Sequence, residues 1–326
     1  MKEADIRKPD VFNKYLELVR QDTARLFNDK SSFAYFNCFA CGSDELSFEF
    51  EKNSFRYVSC KKCLSLLVNP RPSFESLKKF YANSASATFF ANEFFKPVAE
   101  IRKNEIFRPR ALYISKFLNG ASRKLIGDIG AGFGLFLEEL RAILPNNKYI
   151  AIEPSIEMAA KCREKGLDTK CVCFEELENA EGKFDLLSAF ELIEHLYNPV
   201  SFLNRAYSIL KPGGFLFLTT LNVLGFDILL LWEKSKSLTP PHHLNFFNPN
   251  SLEQLLKRLG FKVIEISTPG KLDWDIVEGM IKNENVVLGR FWNLLAKRRD
   301  DVCKNEFQDW IAKNNLSSHM RILAQK

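Results

Sequence analysis

The 326-residue sequence lacks a long apolar run. The longest such run, residues 223–232, is interrupted by Asp227 and is far shorter than the roughly 20 residues that a membrane-spanning helix needs. No apolar stretch follows the charged residues 1–10, and this absence argues against a signal peptide. We therefore expect a cytoplasmic protein without a membrane span.

The sequence also lacks any cluster of basic residues interleaved with aromatic ones, although Lys and Arg outnumber Asp and Glu by 46 to 40. A nucleic-acid surface would need such a cluster, so the net charge of +6 indicates ordinary solubility and a nucleic-acid partner is not favoured. Internal repeats and low-complexity tracts are absent as well. With 46% hydrophobic residues and 30 Phe, the chain has ample material for a large buried core.

Eight cysteines are present, and four of them form two CxxC pairs. The pairs are Cys38/Cys41 and Cys60/Cys63, with 18 residues between them. Two such pairs complete the tetrahedral sulfur cage that Zn²⁺ prefers, so the spacing predicts a structural zinc ribbon. The alternatives are four unrelated cysteines or a redox dithiol, and two equivalent pairs suit a closed metal site better than a single reactive site.

From residue 124 onward, strand-like and helix-like segments alternate. The predicted strands are residues 125–129, 149–152, 169–173, 184–189, 215–220, 261–267 and 320–324. The predicted helices between them are residues 135–143, 156–165, 200–210 and 252–259. This alternation predicts an α/β fold with a parallel sheet and right-handed crossovers. The glycines Gly213, Gly214 and Gly260 lie where helices are expected to end.

Four parts follow from these patterns. They are a helical segment at 1–37, the zinc ribbon at 38–72, a helical linker at 73–120 with Ser73 as a helix N-cap and a break at Pro97, and the α/β domain at 121–326 with a helical insert at about 270–318.

A glycine-rich turn at residues 125–134 (LIGDIGAGFG) connects a predicted strand to a predicted helix. Glycines allow the backbone to approach a ligand closely. A nicotinamide-binding turn is the first alternative, but Asp128 would repel a diphosphate and the G-x-G-x-x-G spacing is missing. A cationic, amine-bearing ligand fits Asp128 better. Glu153, at the end of the next strand, can accept hydrogen bonds from two ribose hydroxyls.

Residues 125–220 resemble class I S-adenosylmethionine-dependent methyltransferases through the glycine turn, Glu153, the segment 184–195 and the segment 210–215 (LKPGGF). The resemblance implies a Rossmann-like sheet of seven strands, with the last strand antiparallel. It implies that Asp128 neighbours the methionine part of the cofactor, that Glu153 holds the ribose and that residues near Phe174 flank the adenine. Ala131 stands where many relatives carry Cys. The cofactor-binding residues implied are Asp128, Gly130, Ala131, Gly132, Glu153, Pro154, Phe174 and Phe190.

The cysteine pairs, followed by residues 67–72 (LVNPRP) and Phe80-Tyr81, are similar to zinc-ribbon methyltransferases linked to sugar and surface-polysaccharide biosynthesis.

The sequence has only four histidines, and each is a candidate for the base that takes a proton from the acceptor. His195, His242 and His243 follow predicted strands, so we expect them at the carboxyl edge of the sheet. His319 precedes the last strand, and if that strand is antiparallel, residues 269–318 begin and end at the same edge and can cover it. The residues predicted to be catalytic are His195, His243, His242 and Glu191.

Glu191, Glu194 and His195 have the i, i+3, i+4 spacing that places side chains on one side of a helical turn. The pattern resembles the metal-dependent branch of the superfamily, which includes ubiquinone-pathway O-methyltransferases and small-RNA 2′-O-methyltransferases. In that branch a later histidine, matched best by His243, completes a divalent-metal site that lowers the pKa of the acceptor hydroxyl. A metal-free base, His195 or His243, is the alternative, as is a purely packing role for these residues.

The predicted function is therefore methyl transfer from S-adenosylmethionine to a small molecule. The favoured acceptor is a hydroxyl or carbon of a sugar nucleotide or glycan precursor. A quinone-like phenol is the alternative within enzymes. An RNA-binding zinc ribbon with an RNA-modifying core, and a catalytically inactive scaffold, are the alternatives of other classes.

Overall fold

A computed structural model of the chain describes residues 2–118 and 123–326, and the predicted border at residue 120 lies outside these ranges. The strands in the described ranges are β1 (Leu46–Lys52), β2 (Phe55–Cys60), β3 (Leu66–Val68), β4 (Leu125–Ile129), β5 (Lys148–Ile152), β6 (Asp168–Lys170), β7 (Phe184–Phe190), β8 (Leu210–Leu221), β9 (Asn245–Phe246), β10 (Lys262–Ser267) and β11 (His319–Gln325). The α-helices are α1 (Glu3–Ile6), α2 (Pro9–Leu26), α3 (Phe74–Asn83), α4 (Ala85–Phe89), α5 (Ala99–Arg102), α6 (Arg108–Ser115), α7 (Leu135–Ile143), α8 (Ile156–Glu164), α9 (Pro199–Ile209), α10 (Phe226–Leu231), α11 (Pro249–Arg258), α12 (Asp273–Asn283), α13 (Arg290–Arg298) and α14 (Asp301–Lys313). None of the described helices combines the length and apolarity that crossing a bilayer requires.

Seven strands form one mixed sheet in the order β10-β11-β8-β7-β4-β5-β6. Strand β4 pairs in parallel with both β5 and β7, and β8 pairs in parallel with β7. Strand β11 is antiparallel to β8, since the Gly213 N–H donates to the Lys326 carbonyl (2.9 Å) while the Asn222 N–H donates to the Ser318 carbonyl (2.6 Å) at the opposite end. The predicted Rossmann-like sheet with an antiparallel last strand is confirmed.

The central strands are buried because helices cover both faces of a parallel sheet. Ile126, Leu186 and Phe217 from three neighbouring strands share one core cluster with Phe136 and Leu140 of α7. This double burial explains why these strands are mostly apolar and why the polar side chains within them, such as Asp128 and Ser188, are hydrogen-bonded. The predicted strand 125–129 and helix 135–143 agree with β4 and α7 residue for residue.

The chain forms two compact units. Unit 1 consists of Met1–Lys96, Leu221–Leu252 and Ser267–Met320, and unit 2 consists of Pro97–Thr220, Glu253–Ile266 and Arg321–Lys326. The predicted helical insert therefore belongs to unit 1. The predicted borders at residues 37 and 72 remain predictions.

A second sheet, of four strands, lies in unit 1 in the order β1-β2-β3-β9. Its fourth strand comes from far along the chain, with Leu66 opposite Phe246 in an antiparallel pair. The fully buried Arg71 donates to the Asn245 side-chain oxygen (3.1 Å) and to the Leu244 carbonyl (3.4 Å). Because β9 is two residues long and its partner is distant, the sequence pattern did not predict this pairing.

Helix boundaries mostly follow the sequence signals. The Ser73 hydroxyl accepts from the Ser76 N–H (3.2 Å), which confirms the predicted N-cap of α3. The predicted break at Pro97 is a short 3₁₀ segment, Lys96–Val98. Gly260 follows α11 with φ +92°, as expected at a helix C-terminus. In contrast, Gly213 and Gly214 lie inside β8 and do not cap α9, because β8 begins directly after Ile209. The backbone of both glycines is hydrogen-bonded to Lys326 at the C-terminus (2.9 Å each).

A buried carboxyl pair lies in unit 1. The Asp273 carboxylate accepts from the Ser317 hydroxyl (2.7 Å), the Ser318 N–H (2.6 Å) and the Gln308 amide (2.8 Å). Asp227 on α10 is fully buried beside it. Burial, together with the charge of Asp273, raises the pKa of Asp227 to about 8. Asp227 is therefore protonated in the folded protein at neutral pH.

This pair predicts a pH-dependent stability. Between about pH 4 and about pH 8 the unfolded chain has released the Asp227 proton while the folded chain keeps it, so the free energy of unfolding falls as the pH rises. Asp227→Asn stays neutral, and at pH 8 we expect it to exceed wild type in unfolding free energy by roughly a few kcal/mol, with near equality only below about pH 4. Urea unfolding of both proteins across this pH range, with Asp309→Asn on the exposed face of α14 as the control, measures the difference. Parallel profiles for wild type and Asp227→Asn would contradict the assignment.

Candidate active site

The glycine turn connects β4 to α7 in unit 2. Gly130, Gly132 and Gly134 have φ of +68°, +55° and +69°, the left-handed region that other residues avoid. A Cβ placed on Gly132 would meet no atom within 4 Å, whereas one on Gly134 would collide with Leu167. The turn thus leaves open space beside Gly132, and the backbone there can approach a ligand.

Asp128 lies one residue before the end of β4 and is buried. Its carboxylate accepts from the Ser188 hydroxyl on β7 (2.7 Å). Burial raises the pKa of Asp128 to about 7, although the Ser188 hydroxyl and the Arg110 charge both favour the ionised form. A cationic group at this point would gain from the carboxylate and would hold it ionised.

Glu153 follows β5 and clamps the glycine turn. One carboxylate oxygen accepts from the Gly132 N–H (2.8 Å) and the other from the Ser155 N–H (2.9 Å). Burial raises the pKa of Glu153, while both N–H groups lower it. Each carboxylate oxygen has a second lone pair, so Glu153 can still accept from two hydroxyls of a ligand.

The other predicted cofactor residues differ in exposure. Ala131 is half-buried in the turn and Pro154 is exposed after Glu153. Phe174 is buried against Phe202, with ring centroids 5.1 Å apart, and therefore packs in the core. Phe190, at the end of β7, stacks edge-on against Phe136 (4.7 Å). Sequence reasoning missed Ile156, which follows Glu153 closely and is 78% exposed, an apolar side chain at the carboxyl end of β5.

Glu191 directly follows β7 in a strained conformation, with φ +50°. Its N–H donates to the Thr219 carbonyl (2.9 Å), and its carboxylate accepts from the Thr219 hydroxyl (2.7 Å). The Arg110 guanidinium of α6 donates to the same carboxylate oxygen (2.9 Å) and lies over the Phe190 ring, 4.7 Å from its centroid. Arg110 was also missed in the sequence, because a helical arginine before the domain carries no motif.

Glu194 has a different hydrogen-bond partner from Glu191. It is fully buried, and its carboxylate accepts from the Thr220 hydroxyl (2.8 Å). Burial and the nearby charge of Glu191 raise the pKa of Glu194. Thr219 and Thr220 thus each bind one of the two carboxylates.

The prediction that Glu191, Glu194 and His195 share one helical turn is therefore wrong. Only Ile193–His195 form a 3₁₀ turn, and Glu191 precedes it in the left-handed conformation. His195 ends this turn, half-buried, with its N–H donating to the Leu192 carbonyl (2.9 Å). The second metal site remains a prediction.

Two of the histidines predicted to be catalytic, His242 and His243, lie in unit 1, as does His319. His242 is buried among aromatic rings, 4.8 Å from the Phe80 centroid and 5.6 Å from that of Tyr15. Burial lowers the pKa of His242 to about 3, and this placement argues against a role as catalytic base. The Nδ1–H of His243 donates to the Ser237 carbonyl (2.6 Å), so in the neutral ring the lone pair is on Nε2. His319 begins β11, one residue before the predicted strand.

The four cysteines of the two CxxC pairs meet in unit 1, with all four sulfurs within 4.8 Å of one another. The Cys38 and Cys63 sulfurs are 3.4 Å apart, and those of Cys41 and Cys60 are 3.5 Å apart. A tetrahedral zinc site with Zn–S bonds near 2.3 Å needs sulfur separations of about 3.8 Å. The thiol arrangement fits that requirement.

The two cysteine loops have the same backbone geometry. The Gly42 N–H donates to the Cys38 carbonyl (2.7 Å), and the Leu64 N–H donates to the Cys60 carbonyl (2.9 Å). Gly42 and Leu64 both have positive φ, +79° and +59°. Each CxxC pair therefore forms a matching turn that presents two sulfurs to the same point.

Comparison with known proteins gives concordant matches. A sequence profile described as a methyltransferase domain matches residues 99–266. The ubiquinone biosynthesis O-methyltransferase of Bradyrhizobium sp. (strain ORS 278) is 31% identical over 159 residues, which cover 42% of this chain and 62% of that protein. The protein of the same name from Xanthomonas axonopodis pv. citri (strain 306) is 29% identical over 169 residues, covering 48% and 70%. The chain thus spans about three fifths of the length of the Bradyrhizobium relative.

Among solved structures, the plantazolicin methyltransferase BpumL superposes with a TM-score of 0.50 at 14% identity, over 77% of this chain and 93% of that one. At that identity the likeness concerns the fold alone.

Proposed function

Because this chain belongs to the class I S-adenosylmethionine-dependent methyltransferases, we propose that it methylates a hydroxyl of a quinone-like phenol. The main observation in favour of methyl transfer is the glycine turn, which has open space at Gly132 and is flanked by the carboxylates of Asp128 and Glu153. The sulfonium of S-adenosylmethionine supplies the electrophilic methyl group when the cofactor is bound.

The residues of unit 2 suit each part of that cofactor. Glu153 has the capacity to accept both ribose hydroxyls, and the exposed Ile156 offers an apolar surface for the adenine. Asp128 attracts the cationic amine. We propose that Arg110 binds the carboxylate of the methionine part, since its guanidinium lies by the carboxyl end of β7 and fixed donors there suit an anion. These roles position the methyl group for an in-line displacement.

The acceptor is inferred from the relatives. Both O-methyltransferase relatives named above carry the ubiquinone pathway in their names, and neither name involves a sugar. This supports the phenol alternative over the sugar nucleotide and the polysaccharide pathway that the zinc ribbon suggested. A hydroxyl acceptor must lose a proton, and we propose His195 as the base because it follows β7 at the carboxyl edge and remains partly accessible. The roles of His243 and of a second metal remain predictions.

Methyl transfer to a catechol with a short prenyl tail tests this proposal. Incubation with S-adenosylmethionine is expected to add one methyl group to the catechol and none to a nucleotide sugar, as measured by mass spectrometry. His195→Gln is expected to lower the turnover about a hundredfold or more, with S-adenosylhomocysteine affinity unchanged. Glu157→Gln, exposed on α8, is the control and should retain full activity. Methylation of the nucleotide sugar alone would overturn the phenol assignment and leave the transferase assignment in place.

We also propose that Cys38, Cys41, Cys60 and Cys63 hold a structural Zn²⁺. Four thiolates fill a tetrahedral shell and leave no position for a substrate, so the ion would stabilise the fold and take no part in catalysis.

A further inference from the structure

One helix of unit 1, α13, combines exposed apolar side chains with exposed cations. The segment 286–299 (VVLGRFWNLLAKRR) contains four cations, Arg290, Lys297, Arg298 and Arg299, and no carboxylate. All four cations are exposed. Several large apolar residues of the same segment are exposed as well, with Val287 at 79%, Phe291 at 63% and Leu294 at 45%.

The inner side of α13 explains why the helix is fixed in place. Leu295 and Ala296 are buried in a cluster with Trp274, and Trp292 packs against the same cluster. The Trp292 ring lies 5.2 Å from the Phe226 ring, measured between centroids. These contacts hold α13 against the rest of unit 1. The exposed apolar residues are therefore not needed to keep the helix in place.

The outer side of α13 places apolar and basic residues next to each other. At 100° per residue, Arg290, Leu294, Lys297 and Arg298 fall within about 100° of the helix circumference, and Phe291 falls beside them. Neighbours three and four residues apart are adjacent on a helix surface, so Leu294 is surrounded by cations. We call the set Val287, Arg290, Phe291, Leu294, Lys297 and Arg298 the basic apolar face.

An aromatic row leads away from this face. The Phe291 and Trp292 centroids are 4.9 Å apart, and Trp292 lies 6.0 Å from Phe307. Phe307 in turn stacks on Trp310 of α14 at 6.2 Å, and Trp310 is 53% exposed. Both ends of the row thus present an aromatic ring to the solvent, as is typical of residues at a membrane–water interface.

From the charge and chemistry of the basic apolar face, we propose that α13 docks unit 1 onto an anionic lipid surface. Cations arranged around Leu294 and Phe291 can pair with lipid phosphates while the two apolar side chains enter the acyl boundary. Aliphatic residues such as Leu294 and Val287 gain nothing from stacking on nucleic-acid bases, which favours lipid over nucleic acid. Docking on a lipid surface would determine where the enzyme acts. This proposal does not depend on which molecule accepts the methyl group.

Vesicle co-sedimentation of the full chain tests the proposal. Wild type is expected to bind vesicles of equal parts phosphatidylglycerol and phosphatidylcholine at least about tenfold more tightly than pure phosphatidylcholine vesicles at about 50 mM salt. Phe291→Ser/Leu294→Ser is expected to weaken binding to the anionic vesicles about tenfold or more. Lys297→Gln/Arg298→Gln/Arg299→Gln should do the same and should also reduce the salt dependence.

Two controls separate this from general electrostatic adsorption. Lys116→Gln/Lys148→Gln/Lys183→Gln removes the same charge from exposed positions of unit 2 and should bind as wild type does. Tryptophan fluorescence and melting temperature verify that each variant is folded. Equal loss in this control triple, or no preference of wild type for anionic vesicles, overturns the proposal. Self-association in ultracentrifugation that Phe291→Ser/Leu294→Ser abolishes, without vesicle binding by wild type, would show that the face binds a second copy, and this also overturns it.

Discussion

Removal of zinc from the four-cysteine cluster is expected to unfold unit 1. Structural zinc contributes on the order of 10 kcal/mol or more in small zinc modules, while a whole domain is stable by about 5–15 kcal/mol. All four tryptophans of the chain, Trp232, Trp274, Trp292 and Trp310, lie in unit 1. A chelator should therefore shift the tryptophan emission to longer wavelength, and metal analysis should find one zinc per chain before treatment.

Single cysteine variants make the same test without a chelator. Cys41→Ser is expected to lower the midpoint of thermal unfolding by about 10 °C or more and to abolish zinc retention. Cys303→Ser in α14 is the matched control, since it removes a partly buried thiol of the same unit outside the cluster. If zinc-free protein and wild type had the same fluorescence melting curve, the four cysteines would have no structural role as metal ligands.

Loss of the Arg110 guanidinium is expected to weaken S-adenosylhomocysteine binding about a hundredfold, because a buried, hydrogen-bonded charge contributes a few kcal/mol to its partner's binding. Methylthioadenosine has the same nucleoside but no amino-acid part, so its affinity should change by less than about threefold in Arg110→Met. Glu153→Gln should weaken both ligands to a similar extent, because both carry the ribose. Calorimetric titration of the two ligands into each variant measures these affinities.

Two further variants distinguish loss of a cofactor contact from a general effect on folding. Arg108→Met, two residues earlier on α6 and exposed, is the matched control and should bind both ligands normally. Arg110→Met leaves the Glu191 carboxylate without its ion pair, so Arg110→Met/Glu191→Gln removes both charges together. A parallel loss of both ligands in that double variant would mean that Arg110 supports the fold and does not bind the cofactor.

The regular part of the α/β core could be predicted from the sequence because local signals and burial agree there. Helix α7 has a clear apolar periodicity, and β4 is a short buried segment that ends at the glycine turn. The positive φ values in that turn require glycine. The CxxC spacing was equally informative, since two short loops suffice to bring their sulfurs together. Local chemistry therefore sufficed for the glycine turn and for the cysteine pairs.

Other features depended on partners that are distant in sequence. Glu191 has helical spacing to His195, but its N–H and its carboxylate are both hydrogen-bonded to Thr219, 28 residues later. Arg110 reaches the candidate site through its hydrogen bond to the same Glu191 carboxylate. A single arginine in a helix gives no sequence signal of such a contact. The position of His242 after a predicted strand suggested a catalytic role. In the structure the rings of Tyr15 and Phe80 pack against it. Pairings of this kind are tertiary, and hydrophobic periodicity does not encode them.

The discontinuity of the two units limits how this gene can vary by recombination. The chain passes from one unit to the other five times, at residues 96, 220, 252, 266 and 320. No single crossover can exchange the cysteine-bearing unit between relatives and leave the recipient's other unit intact, because stretches of the two units alternate along the chain. A crossover between residues 68 and 245 would also take β3 from one parent and its partner β9 from the other. Chimeras with a related enzyme would need three transplanted stretches inherited together, so we expect these stretches to have diverged as a linked set.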